Sequence, residues 1–73
     1  MKFNERLRAL REDKDINQTE LAKAVGSGQK SISFFETGRY EPSIEIILKM
    51  AKYFNVSTDY LLGASNIPRK FGE

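Results

Sequence analysis

The chain has 73 residues, enough for one domain with a core of marginal size. Its 40% hydrophobic and 30% charged residues are ordinary for a folded domain, and 12 Lys and Arg against 10 Asp and Glu leave a mildly basic net charge of +2. Cysteine and histidine are both absent, so disulfides, thiolate or imidazole metal sites and the commonest general base are excluded, and no metal, cofactor or catalytic residue is assigned.

The amino terminus turns charged again by Arg6, without the apolar stretch of a secretory signal, and no apolar run approaches the roughly 18 residues of a bilayer span; a cytoplasmic location is expected. Phe3, Leu7 and Leu10 recur at helical spacing, with Glu5, Arg6, Arg8, Glu12 and Asp13 on the other faces, which predicts a first helix fading near Lys14 and Asp15. Glu12, Asp13 and Asp15 around Lys14 read as a solvated face rather than an acid–base pair. Asn17 is the expected N-cap of a second helix, Glu20 completes a capping box, and Leu21, Ala22 and Val25 form its buried stripe. Gly26 falls where the chain needs a left-handed residue.

A third helix is expected from Gln29 to about Thr37, burying Ile32 and Phe35 and stopping at Gly38. After the loop Arg39-Tyr40-Glu41-Pro42, Ser43 caps a fourth helix with Ile44, Ile47, Leu48, Ala51 and Phe54 inward, and Asn55 is its stop. Ser57 caps a last short helix carrying Leu61 and Leu62, ended by Gly63. The fold class is therefore all-α: a compact five-helix domain over residues 1–63, followed by a tail, 64–73.

Two short helices joined by a tight glycine turn, the second polar on its outer face, form the pattern that lets a helix enter the major groove of DNA. The stretch from Gln18 to Thr37 has this spacing, with Ala22 small where the helices cross, Gly26 at the turn, and Ile32 and Phe35 anchoring the second helix.

In Ile16-Asn17-Gln18-Thr19-Glu20-Leu21-Ala22, Val25-Gly26, Ser31-Ile32-Ser33, Phe35-Glu36-Thr37-Gly38-Arg39, Pro42-Ser43 and Leu48-Lys49-Met50-Ala51 the chain resembles the Xre, or lambda-repressor and Cro-like, helix-turn-helix family. The resemblance runs from Arg6 to Gly63. It implies a lambda-repressor-like DNA-binding domain whose third helix reads base edges, usually as a homodimer on double-stranded DNA with an inverted-repeat operator.

By that resemblance Gln18, with Asn17 beside it, contacts phosphate; the plainer reading is a helix-start residue without a partner. Gln29, Lys30, Ser31, Ser33 and Phe34 occupy the base-reading positions. Gln29 suits adenine, and Lys30 suits guanine or a phosphate. Phe34 departs from the usual polar residue, leaving three uses open: a thymine methyl, a contact with Tyr40, or support of a partner subunit. Gly28 replaces the usual Ser or Thr cap and offers no side-chain oxygen for the phosphate contact expected there. Arg11 and Glu36 match an ion pair joining the first helix to the end of the third. Thr37, Arg39 and Tyr40, in the loop beyond, are placed for phosphate contacts.

Ile46, Met50, Tyr53, Tyr60, Leu62 and Ile67 exceed what a small core hides, and some are expected, with the tail, in a two-fold interface. The leading expectation is a sequence-specific transcriptional regulator, a repressor of a prophage, mobile element or local operon. The alternative is an antitoxin or protein-interaction module on the same fold. An enzyme is not expected, because no nucleophile–base pair or phosphate-binding glycine loop can be assembled, and neither a membrane nor a small-molecule partner is inferred.

Overall fold

Leu7, Leu21, Val25, Ile32, Met50 and Leu61 are removed completely from solvent, and they come from five different helices. A computed structural model describes residues 1–72 as α1 (Phe3–Asp13), α2 (Gln18–Val25), α3 (Gln29–Glu36), α4 (Ile44–Phe54) and α5 (Thr58–Leu61), with no strand among the described residues. Helices of 4 to 11 residues are too short to persist alone, so they depend on their shared core and on their ends.

Those ends are closed by local chemistry. Asn17 Oδ1 accepts the Glu20 N–H at 2.8 Å and Glu20 Oε1 accepts the Asn17 N–H at 3.0 Å, a complete capping box. The hydroxyls of Ser43 and Ser57 cap α4 and α5. Each such cap contributes about 1 kcal/mol. At the other ends Gly26 (φ +71°) and Asn55 (φ +53°) turn left-handed and direct the chain into the next element.

Packing departs from the periodic reading on α4 and α5. Met50 is fully buried, whereas Ile44 is 77% exposed and Leu48 and Leu62 are each 42% exposed, so the buried stripe runs through Ile46, Ile47, Met50, Ala51 and Phe54 instead. A helix with so many apolar residues has two adjacent stripes of similar hydrophobicity, and only the position of α2 and α5 selects between them.

Arg6 is a second departure. Instead of facing solvent it is 5% exposed, donating to the Tyr60 carbonyl at 3.1 Å and to Asn66 Oδ1 at 2.9 Å, with its guanidinium carbon 3.8 Å from the Tyr60 ring centroid. It thereby ties α1 to the segment after α5. That segment folds back on the domain: the Ser57 N–H donates to the Arg69 carbonyl at 2.8 Å, and Phe71 packs partly buried against the core. Glu73, the end of the expected tail, lies outside the described residues.

Arg11 binds Glu36 across 25 positions of sequence, through Nε to Oε2 at 2.6 Å and Nη2 to Oε1 at 3.0 Å, and its Nη1 donates to the Ile16 carbonyl. The Glu36 side chain is only 4% exposed. The hydrogen bond from Arg11 to Glu36 raises the guanidinium pKa against the lowering by burial. That contribution to stability is present below the unfolded value and disappears only as pH climbs through the raised one, so Arg11 keeps its charge across the neutral range. Replacing Arg11 by alanine strands a buried carboxylate at a cost of about 3–5 kcal/mol. The expected outcome is a melting temperature lower by at least about 10 °C in a domain this small; an unchanged thermal melt would show that the pair carries no stability.

Candidate nucleic-acid interface

The geometry of α2 and α3 follows from a few small residues. Ala22 is 3% exposed between the two helices, and the Gly26 and Ser27 N–H groups both reach the Ala22 carbonyl as the chain reverses. α3 then buries Ile32, Phe35 and Glu36. Its opposite side leaves Gln29 and Lys30 exposed and Ser31, Ser33 and Phe34 partly exposed.

Gln29 is not a loose side chain. Its Nε2 donates to Gln18 Oε1 at 2.7 Å, and Gln18 Nε2 donates to Glu36 Oε1 at 3.2 Å. Arg11, Glu36, Gln18 and Gln29 thus form one continuous polar chain from the domain interior to the outer edge of α3. A glutamine amide carries two N–H donors and one carbonyl oxygen. With one N–H on Gln18, Gln29 keeps the other N–H and its oxygen, the pair that matches the N7 and N6 edge of adenine.

Sequence reasoning missed the bonds of Gln18 to Glu36 and Gln29. A signal was present: Gln18 and Gln29 are each the first residue of their helix, and the glycine turn brings α2 and α3 side by side.

The remaining positions form two groups. Lys30, Ser31 and Ser33 make no side-chain hydrogen bond to other described residues; Lys30 is exposed and the two serines are partly so. Phe34, Thr37, Arg39 and Tyr40 cluster at the C-terminal end of α3: the Phe34 and Tyr40 rings meet edge to face with centroids 5.0 Å apart at 84°, and the Arg39 guanidinium carbon lies 5.1 Å from the Phe34 centroid. The Thr37 hydroxyl donates to the Phe34 carbonyl at 3.2 Å. Among the three uses left open for Phe34, the structure has the contact with Tyr40.

Asn17 spends its side-chain oxygen on the cap, and Gly28 starts α3 without a side-chain cap. A Cβ built on Gly28 meets only Ser31 Oγ at 4.0 Å, so the space for a serine exists and glycine is not required by crowding.

A family model described as helix-turn-helix matches residues 7–61. The chain is 33% identical over 70 residues to the HTH-type transcriptional regulator ImmR of Bacillus subtilis, covering 96% of this chain and 55% of that protein. It is 34% identical over 70 residues to the cryptic phage CTXphi transcriptional repressor RstR of Vibrio cholerae, covering 93% of this chain and 63% of that one. The chain therefore spans less than two thirds of the length of either relative. Among solved structures, the P22 c2 repressor in complex with a synthetic operator superposes with a TM-score of 0.84 at 37% identity, over 89% of this chain and 98% of that one. The glycine-linked helix pair, the five-helix frame and the matched span agree: the chain belongs to the Xre, or lambda-repressor and Cro-like, helix-turn-helix family.

Proposed function

We propose that the protein is a sequence-specific DNA-binding transcriptional regulator, a repressor of a prophage, mobile element or local operon, which inserts α3 into the major groove. The observation that carries this reading is Gln29, exposed at the start of α3 and held by Gln18 with its adenine-matching edge free. Lys30, one residue on, adds a charged donor for guanine or phosphate. Gln18 presents its flank to the strand, and Thr37, Arg39 and Tyr40 follow the backbone on the far side of the groove, so base-reading groups sit between two sets of positioning groups.

Few cations face the groove, so one domain binds weakly and a second copy on a neighbouring half-site raises the affinity. The face left uncovered by the shifted stripe of α4 supplies the means. Ile44 and Leu48 lie one turn apart on α4, both exposed, and Leu62 lies exposed just past α5. Two copies related by a two-fold axis bury these residues against each other and orient both α3 helices toward one side of an inverted repeat.

Selection of the purified protein against a random DNA library at moderate salt tests the reading. An inverted repeat with half-sites about one helical turn apart is expected. Gln29→Ala and Lys30→Ala should retain the parent melting temperature and lose about 1–3 kcal/mol of discrimination, each at one base pair. A flat pool from the parent protein overturns sequence-specific recognition and favours the antitoxin or protein-interaction use of the fold.

The interface is tested separately. Ile44→Glu with Leu48→Glu should leave folding unchanged, because both residues are exposed. Sedimentation should show the variant monomeric where the parent dimerises, and binding to the full repeat should fall to that of a half-site. A variant as dimeric as the parent would place the interface elsewhere.

A further inference from the structure

Phe34 is the residue of α3 that departs most from a polar reading surface, and three of the groups assigned to the DNA backbone converge on it. Its carbonyl accepts the Arg39 N–H at 2.9 Å, the Tyr40 N–H at 3.4 Å and the Thr37 hydroxyl at 3.2 Å. The Gly38 N–H meanwhile donates to the Phe35 carbonyl at 3.3 Å, with Gly38 at φ +78°. These two closures, six-to-one from Arg39 and five-to-two from Gly38, are the Schellman arrangement, which brings the residue after the glycine over the side chain five positions earlier. An apolar residue ordinarily fills that place. Here it is Arg39, whose guanidinium sits on the Phe34 ring, while Tyr40 meets the ring edge to face.

We propose that Phe34 does not read a base but is a positioning residue, its ring an aromatic platform that holds Arg39 and Tyr40 in one arrangement against the DNA backbone, while Thr37 is held by the main-chain carbonyl of the same residue. The inference rests on the DNA-binding reading above. Arg39 and Tyr40 are exposed and Phe34 is only partly so, which fits a support beneath two contact groups. Among the described residues no carboxylate pairs with Arg39, so stacking orients the guanidinium while its N–H donors stay available for phosphate. Without the ring the same arginine must be ordered at the moment of binding, from many rotamers.

The experiment compares the parent domain with Phe34→Leu, which keeps an apolar side chain at a partly buried position, on the sequence recovered by selection. The expected result is about five- to thirtyfold weaker binding with an unchanged base preference. The slope of log affinity against log salt should fall by about 0.9, one phosphate contact. Arg39→Ala should have little further effect in the Phe34→Leu background. In the free protein, proton NMR should show the Arg39 side chain shifted upfield by the Phe34 ring current, and the shift should vanish in Phe34→Leu.

Replacing single thymines by uracil separates the competing use. Loss of affinity at one thymine in the parent protein, absent in Phe34→Leu, would overturn the proposal in favour of a methyl contact. Parent affinity and salt slope in Phe34→Leu would overturn it outright, as would an Arg39 shift already at its random-coil value in the parent. A parent protein that selects no sequence fails the DNA-binding reading itself, an outcome distinct from a selective parent with an indifferent variant.

Discussion

A carboxylate buried in a domain of this size must be fully partnered, and the partners of Glu36 determine where the outer face of α3 points. Both oxygens are used: Oε2 by Arg11, and Oε1 by Arg11 and Gln18. Arg11 belongs to α1 and Gln18 to the start of α2, so one side chain near the end of α3 is held from two directions. Replacing such a pair with apolar residues is often neutral or stabilising, so its energy alone is a poor account of its presence. Direction is a better one. A bidentate arginine accepts only a narrow range of carboxylate orientations, whereas an apolar contact tolerates sliding and rotation. Through Gln18 the constraint extends to Gln29, whose amide plane is thereby held before any ligand arrives.

Much of this was legible because it depends on neighbours in sequence. Asn17 with Glu20, Ser43, Ser57, Gly26 and Asn55 act within three or four residues, and caps and left-handed turns are chosen by residue chemistry that the chain displays directly. The helix pair and its glycine turn are of the same kind, so the architecture followed. Arg11 with Glu36 is long-range in sequence and came from the family resemblance, since nothing local joins the two positions.

What stayed hidden depends on packing choices among near equals. α4 presents Ile44, Ile46, Ile47, Leu48, Met50 and Ala51 within two turns, and a periodic reading has no means of preferring one stripe to its neighbour. Arg6 misled for a different reason. Its charge assigns it to solvent, yet a long stem with a planar, weakly hydrated head can lie on Tyr60 and satisfy two oxygens in an otherwise closed site. Asn66 supplies one of those oxygens from beyond the last helix, so the segment after α5 and the burial of Arg6 had to be inferred together.

The burial of Arg6 and the exposure of Ile44 and Leu48 are coupled through the packing of the domain. Because Arg6 and Phe71 draw the segment after α5 onto the domain, the core is covered without recruiting Ile44 and Leu48, which remain on the surface. Exposed aliphatic side chains that neither close the core nor sit singly are a cost in water unless a partner covers them. Placing them on α4 and just past α5 separates them from α3, whose outward residues are one amide, two hydroxyls, a lysine and one supported aromatic ring. The polar chain runs from Glu36, the last residue of α3, through Gln18 to Gln29, its first, and the cluster on Phe34 adds a second brace at the C-terminal end from the turn at Gly38. A helix of eight residues braced at both ends can present a defined edge although it is too short to be stable alone, and that rigidity is what a reading helix requires.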